Sequence, residues 1–207
     1  MIGVDRSQPQ LDAIAKAYGK PLPSNLTFSK GEALALPAAS GSVDLATMAQ
    51  MFHWLPFTEG LVEAKRVLKP RTGVLGIVSY AMPRIANDAT KAAQKALDEY
   101  YFGLLGSDRA PGTAGCLWDV DRRRVDSGYA GEDFTSVFPR VERFSVTHDV
   151  ASTVGSFLSY MATQSAYQNA LVTMADPLAG LKQALGADDA SRPLATTLTF
   201  HVLLCRM

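Results

Sequence analysis

Two short apolar stretches near the start of the sequence each lead into residues that could bind a nucleotide. Asp5 closes the stretch that begins at Ile2, and a helix start follows at Ser7. A carboxylate at the carboxyl end of a strand commonly accepts hydrogen bonds from neighbouring ribose hydroxyls. It can equally cap the helix that follows it, and the sequence favours neither role. Glu32 and Ala33 follow the next stretch, where a backbone amide could face an adenine ring.

A third apolar stretch, from Val43 to Met48, leads into His53 and Trp54, which could frame a substrate. The imidazole of histidine titrates near neutral pH, so His53 is a candidate for moving a proton. A structural histidine and a core tryptophan are the commoner roles for such a pair. Both interpretations stay open at the level of sequence.

The elements that must position these residues alternate between strand and helix. Gly19 and Pro21 are predicted to end the first helix, and the residues from Val74 to Tyr80 are almost uniformly apolar, as in a strand covered on both faces. This alternation predicts an α/β fold with a doubly wound, mostly parallel sheet, which binds ligands beyond the carboxyl ends of its strands. The predicted strands are 2–5, 26–29, 43–48 and 74–80, and the predicted helices are 7–18 and 57–69.

The regular alternation of predicted strands and helices ends after Pro83. A helix is predicted at 91–102, followed by a stretch rich in glycine, aspartate and arginine that carries Trp118 and Tyr129. We interpret residues 84–133 as a helical cap inserted into one domain that covers residues 1–207. An edge strand at 140–148, helices beginning near Ser152 and Asp176, and a last strand at 194–205 follow.

Composition limits the classes of function. The 20 lysines and arginines balance 20 aspartates and glutamates, so no charge excess favours nucleic acid or a membrane surface. A small molecule or a protein is the expected partner. The two cysteines, Cys116 and Cys205, are in no metal-ligand spacing and are too few for a disulfide framework, which favours a cytoplasmic protein without a metal site. No apolar run is long enough to cross a bilayer.

Taken together, three segments resemble successive core motifs of class I S-adenosylmethionine-dependent methyltransferases of the type 11 group. They read "IGVDRS", "FSKGEALALPAASGSVDLATMAQMFHWL" and "EAKRVLKPRTGVLGIVSY". The downstream segments "YYFGLLG", "LWDVDRRRVDSGY" and "YMATQSAYQNAL" are similar to the cap and helices of the small-molecule branch that includes trans-aconitate-methyltransferase-like proteins. The resemblance covers nearly the whole chain.

The resemblance implies a cofactor, S-adenosyl-L-methionine, and a role for each candidate residue. Asp5 would hold the ribose, Glu32 and Ala33 would border the adenine, and Gln50 would line the groove near the methionine part. The implied substrate contacts are His53, Trp54 and Tyr80, with Trp118 and Tyr129 covering the substrate. The implied reaction is displacement at the sulfonium methyl by a substrate oxygen, nitrogen or carbon, in which His53 could remove a proton.

One departure from the family pattern concerns the first strand and its glycine-rich turn of the form Gly-x-Gly-x-Gly, which the sequence lacks. In the family that strand lies between those corresponding to 2–5 and 43–48, so its loss leaves two inner strand edges unpaired. Three explanations stay open: the two strands pair directly, another chain fills the gap, or the reading frame is truncated at Met1. Undamaged patterning from Ser7 onward favours truncation.

Two other functions also stay open. The first is a non-catalytic methyltransferase-like subunit whose open strand edges are completed by another protein or by a second copy. The second is a nicotinamide-dependent oxidoreductase, which would also use Asp5 but needs a glycine fingerprint that the sequence does not contain.

Overall fold

The computed structural model describes residues 1–18, 22–86 and 91–207, except for the side chains of Ala15 and Tyr18. The predicted helix end at Gly19 and Pro21 lies outside the described residues. Seven strands are found in the described part of the chain: β1 Ile2–Asp5, β2 Thr27–Lys30, β3 Leu45–Ala49, β4 Val74–Tyr80, β5 Arg84–Ile85, β6 Arg140–Thr153 and β7 Pro193–Arg206.

The helices lie between and after these strands. The α-helices are α1 Gln8–Tyr18, α2 Phe57–Val67, α3 Lys91–Asp98, α4 Arg122–Asp126, α5 Val154–Ala162, α6 Ser165–Ala170 and α7 Ala179–Leu185. A π-helix, Glu99–Leu104, continues α3, and two 3₁₀ turns cover Phe52–Trp54 and Phe134–Ser136. None of the helices in the described ranges is long and apolar enough to cross a membrane.

The chain divides into two compact units. The first contains Met1–Ile77, Asp133–Glu142 and Leu203–Met207. The second contains Val78–Glu132 and Arg143–Val202.

The strands form two separate ladders. In the first, β1 and β2 run parallel, with Asp5 opposite Lys30. In the second the order is β3-β4-β7-β5, and β6 also pairs with β7. β1 and β3 are not paired with each other among the described residues, so the explanation in which these two strands pair directly is wrong. The α/β class is confirmed.

The ladders around β7 are antiparallel. Ala81 N–H donates to Thr199 O, and Met207 N–H donates to Gly73 O, so β4 and β7 run in opposite directions. β5 also pairs antiparallel with β7, with Arg84 opposite Thr197. The bounds of the strand at Val74–Tyr80 agree with the prediction, but Val74, Val78 and Tyr80 are only half-buried. One face of this strand is therefore less covered than its apolar composition predicts.

The core of the first unit is built on α2 and the Phe52 turn. Leu61, Ala64 and Val67 recur at helical spacing and are all buried. Phe52 is fully buried, with its ring centroid 5.7 Å from that of Phe57. The Phe57 ring packs in turn against Phe134, at 5.0 Å. This aromatic cluster fixes the start of α2 against the segment after residue 133.

The core of the second unit is formed by helices. It contains residues of α3, the π-helix, α5, α6 and α7, with Leu97, Tyr101, Met161 and Leu181 almost completely buried. The segment predicted as a cap, residues 84–133, contains α3, the π-helix and α4. The short strand β5 and the π-helical turn were not predicted.

Candidate functional site

The carboxyl end of β1 carries Asp5. Its Oδ1 accepts a 2.7 Å hydrogen bond from the backbone N–H of Ser7, so the carboxylate caps the turn into α1. Its other oxygen accepts no hydrogen bond from the described residues, and the side chain is half-buried. The two roles that the sequence left open for Asp5 are thus compatible. One carboxylate oxygen accepts the Ser7 N–H, and the other is available to accept a hydrogen bond from a ligand hydroxyl.

The turn that contains Glu32 and Ala33 lies next to Asp5 because β1 and β2 are paired. Gly31 N–H donates to Asp5 O over 3.1 Å. A Cβ at Gly31 would lie 2.9 Å from Val4 Cγ1, so a larger residue there would push the two strand ends apart. Ala33 is half-buried and Glu32 is exposed. Three predicted cofactor residues are therefore brought together at one end of this ladder.

The same turn is held on α2 by two side chains, which we call the Glu63–Arg66 clamp. Glu63 Oε1 accepts 2.7 Å hydrogen bonds from Leu36 N–H and from Arg66. Arg66 also donates to the carbonyl oxygens of Leu36 and Ala38. The hydrogen bond from Arg66 lowers the pKa of Glu63, partial burial opposes this shift, and the Leu36 N–H adds to it.

A surface cavity of about 560 Å³ lies between this turn and α2, within the size range of small-molecule sites. No sequence pattern predicts this cavity, because exposed apolar residues are common at protein surfaces. Leu34 and Val62 are 42% and 54% exposed beside it. Its lining residues are Leu34, Thr58, Glu59, Val62 and Glu63.

Gln50, His53 and Trp54 follow the carboxyl end of β3. Gln50 has a φ of +50°, in the left-handed region that residues with a side chain rarely occupy. The buried Phe52 anchors the turn that follows. His53 is 8% exposed, whereas Trp54 is 50% exposed, so Trp54 is not a core residue. The His53 and Trp54 ring centroids are 5.8 Å apart.

Three predicted substrate residues, Tyr80, Trp118 and Tyr129, belong to the second unit. Tyr80 is the last residue of β4, half-buried, with its ring centroid 5.8 Å from that of Phe200. Trp118 and Tyr129 are 7% and 1% exposed, and Trp118 Nε1 has no hydrogen-bond partner among the described residues. Burial raises the pKa of the nearby Tyr160 hydroxyl, and its hydrogen bond with Tyr80 adds to this.

A buried polar cluster beside Trp118 was not predicted. Tyr101 OH donates to Asp126 Oδ2 over 2.8 Å, and Arg122 Nε donates to the same hydroxyl over 2.7 Å. Arg122 also pairs with Asp126 Oδ1 at 2.7 Å and stacks on the Trp118 ring at 5.1 Å. The i, i+4 spacing of Arg122 and Asp126 was the one signal in the sequence. We call these residues, with Tyr101, the Arg122 cluster.

Within the Arg122 cluster, the positive charge of Arg122 is compensated by the negative charge of Asp126. Burial works to lower the pKa of Arg122, but Tyr101 and Asp126 more than offset it, so the pKa is raised overall. Burial also raises the pKa of the Tyr101 hydroxyl. Arg122 therefore stays a cation and Tyr101 a neutral donor. The cluster fixes the orientation of the Trp118 ring by contacts on one of its faces and on its edge.

Comparison with known proteins relates this chain to methyltransferases. Residues 1–75 match the model of a methyltransferase domain. A solved protein of Anaeromyxobacter dehalogenans described as a type II methyltransferase aligns with 99% of this chain and 79% of its own, at 27% identity and a TM-score of 0.71. Both matches support the resemblance to class I S-adenosylmethionine-dependent methyltransferases that the sequence motifs indicate.

Two relatives found by sequence comparison also carry methyltransferase names. A methyltransferase-family protein of Dictyostelium discoideum is 26% identical over 167 residues, which are 81% of this chain. A methyltransferase-like protein of Schizosaccharomyces pombe is 40% identical over 78 residues. The chain spans 56% of the length of the first protein and 28% of the second.

Proposed function

We propose that this chain transfers a methyl group from S-adenosyl-L-methionine to a small-molecule acceptor. The observation that carries the proposal is the parallel β1–β2 ladder, which places an available oxygen of Asp5 beside the Gly31–Glu32–Ala33 turn. In this family such an arrangement fits an adenosine group. The low cysteine content, two residues in the whole chain, supports a cytoplasmic location.

The residues of the first unit fit the cofactor. The second oxygen of Asp5 would accept a ribose hydroxyl, and the backbone at Ala33 would border the adenine. Gln50, whose backbone is held in the left-handed region, would contact the methionine part. The cofactor supplies a methyl group on a sulfonium, which needs no further activation. The protein would therefore act mainly by holding the acceptor in line and excluding water.

The proposed acceptor contacts keep the roles that the resemblance implies. His53 would remove a proton from an acceptor hydroxyl or amine, and the half-exposed Trp54 would present an apolar surface to it. In the second unit Tyr80 would offer its hydroxyl. Trp118 and Tyr129 are deeply buried, so they would support the wall behind the acceptor.

Calorimetric titration with S-adenosylhomocysteine tests the cofactor site. Asp5→Asn keeps an acceptor for Ser7 N–H but removes the carboxylate charge, and we expect about tenfold weaker binding because hydrogen bonds to charged groups are the stronger ones. Asp12→Asn, on the exposed face of α1, is the matched control and should bind like the unchanged protein. Equal affinities of the unchanged protein and Asp5→Asn would refute the role of Asp5.

A second candidate function is a non-catalytic subunit completed by another chain. It is favoured by the inner edges of β1 and β3, which pair with no strand of the described ranges, since an open strand edge is a template for pairing. Light scattering on the purified chain tests it. A particle of one-chain mass that melts cooperatively would contradict it, and so would binding of S-adenosylhomocysteine by the chain alone.

A further inference from the structure

β6 is a long strand at the outer edge of the larger sheet. It has 14 residues, and those from 142 to 149 are all exposed. In the described part of the chain β6 pairs only with β7, so its other edge presents backbone groups to solvent. Proteins usually shorten, bulge or cover such an edge, because it can pair with another strand. Nothing among the described residues covers this one.

Two contacts fix the register of β6 on β7. Ser145 Oγ lies 2.9 Å from His201 Nδ1, and Thr197 Oγ1 donates to Asp149 Oδ1 over 2.8 Å. The partners run in opposite order along the two strands, so the pair is antiparallel. Directly opposite residues share one face of a sheet, which places Val146 on the same face as Phe200.

That face of β6 carries two large apolar side chains next to each other. Phe144 and Val146 are two positions apart in the strand and are 48% and 57% exposed. Phe200 and Val202, opposite them on β7, are half-buried. Exposed side chains of this size in neighbouring positions favour an interaction surface over a purely solvated one.

The exposed edge is complementary to itself. If two copies of β6 pair antiparallel about a two-fold axis at Val146, Arg143 of each copy lies opposite Asp149 of the other. Phe144 then lies opposite His148, and the apolar face continues across the axis. Centring the pair on Ser145 or on Thr147 instead places uncharged residues of the other copy opposite Arg143 and Asp149. Opposite charges across a strand pair stabilise it, and like charges destabilise it.

We propose that the open edge of β6 forms a homodimer with β6 of a second copy, antiparallel and centred on Val146. Such an interface is isologous, the commonest arrangement of soluble oligomers, and uses backbone pairing for affinity and side chains for register. It involves the outer edge of the sheet and is independent of the proposed methyl transfer.

Sedimentation velocity with two charge reversals tests the register. Arg143→Glu places glutamate opposite Asp149, and Asp149→Arg places arginine opposite Arg143, so each variant alone has two like-charge pairs. We expect each to dimerise at least about tenfold more weakly than the unchanged protein. In an equimolar mixture, both pairs of the mixed dimer are again opposite in charge. The mixture should therefore recover the dimer.

Arg140→Glu is the matched control, because residue 140 lies opposite the uncharged Ser152 in this register and the variant should remain dimeric. Melting curves of all variants show whether each is folded at the temperature used. Three results would overturn the proposal: a one-chain mass for the unchanged protein up to about 100 µM, no recovery in the mixture, or a dimer that persists in both reversals. The last would place the contact elsewhere, for example at the inner edges of β1 and β3.

Discussion

At the scale of single residues, the backbone of Gln50 is under strain. A left-handed conformation costs a residue with a side chain about 1 kcal/mol relative to glycine. We expect Gln50→Gly to leave the unfolding free energy unchanged or slightly raised, while weakening the binding of S-adenosylhomocysteine. Arg71, with a φ of +69°, is the matched control, since Arg71→Gly should relieve similar strain without affecting binding. Urea unfolding and calorimetry measure the two effects. Equal binding by both variants would contradict a cofactor role for Gln50.

The Arg122 cluster predicts a large loss of stability from a small change. Asp126→Ala removes the charged partner of Arg122, which is only 8% exposed, and should cost about 3 kcal/mol in urea unfolding. The double variant Arg122→Met, Asp126→Leu should recover part of the loss, because no buried charge is left unpaired, although the buried Tyr101 hydroxyl loses both of its partners. Glu99→Ala breaks a solvent-exposed pair of the same i, i+4 spacing, with Lys95, and should change little. A loss no larger than that of Glu99→Ala would contradict this account.

Single residues differ in how far the sequence reveals them. Asp5 could be found because its position after a strand limits its roles, although its capping bond to Ser7 needed coordinates. Tyr101 and Arg122 could not be found, because their hydrogen bond joins residues 21 positions apart in the chain. The burial of Trp118 depends on the same contact. Site geometry that rests on long-range pairs is invisible to local patterns.

At the scale of elements, the Glu63–Arg66 clamp should make stability depend on pH. The pKa of Glu63 is lowered in the folded chain, so its contribution is fully present above the ordinary glutamate value and is lost as pH falls through the folded pKa. Glu63→Gln should therefore be less stable than the unchanged protein at neutral pH, and the difference should shrink below about pH 4. Urea unfolding at several pH values measures it. A difference that stays constant with pH would contradict the role of the charge.

Elements with a local signature were predicted well. The helix at Phe57 and the strand at Val74–Tyr80 are marked by apolar spacing and by Pro70 and Gly73 between them. β6 was predicted to end at His148 but continues to Thr153, because its pairing with β7 continues the strand beyond its alternating pattern. β5 has two residues and is defined by its pairing with Thr196 and Thr197 of β7. Tertiary pairing, which propensity does not contain, sets these bounds.

At the scale of the whole molecule, cofactor binding should raise the stability of the entire fold. A ligand at 100 times its dissociation constant adds about 2.7 kcal/mol to the unfolding free energy. We expect S-adenosylhomocysteine to raise the melting temperature, and a reduced nicotinamide cofactor at equal concentration to leave it unchanged. Differential scanning calorimetry measures both. A rise with the nicotinamide, together with quenching of Trp54 or Trp118 fluorescence, would favour an oxidoreductase instead.

β7, which connects the other strands of the larger sheet, is also the last of them to be synthesised. β7 pairs with β4, β5 and β6, and all three precede it in the chain. A nascent polypeptide that ends before residue 193 therefore contains β4, β5 and β6 but not β7, the strand with which all three pair. Pairing over such sequence distances is slow and leaves apolar surface open to aggregation in the meantime. Production of this protein should therefore depend strongly on chaperones and on the rate of translation.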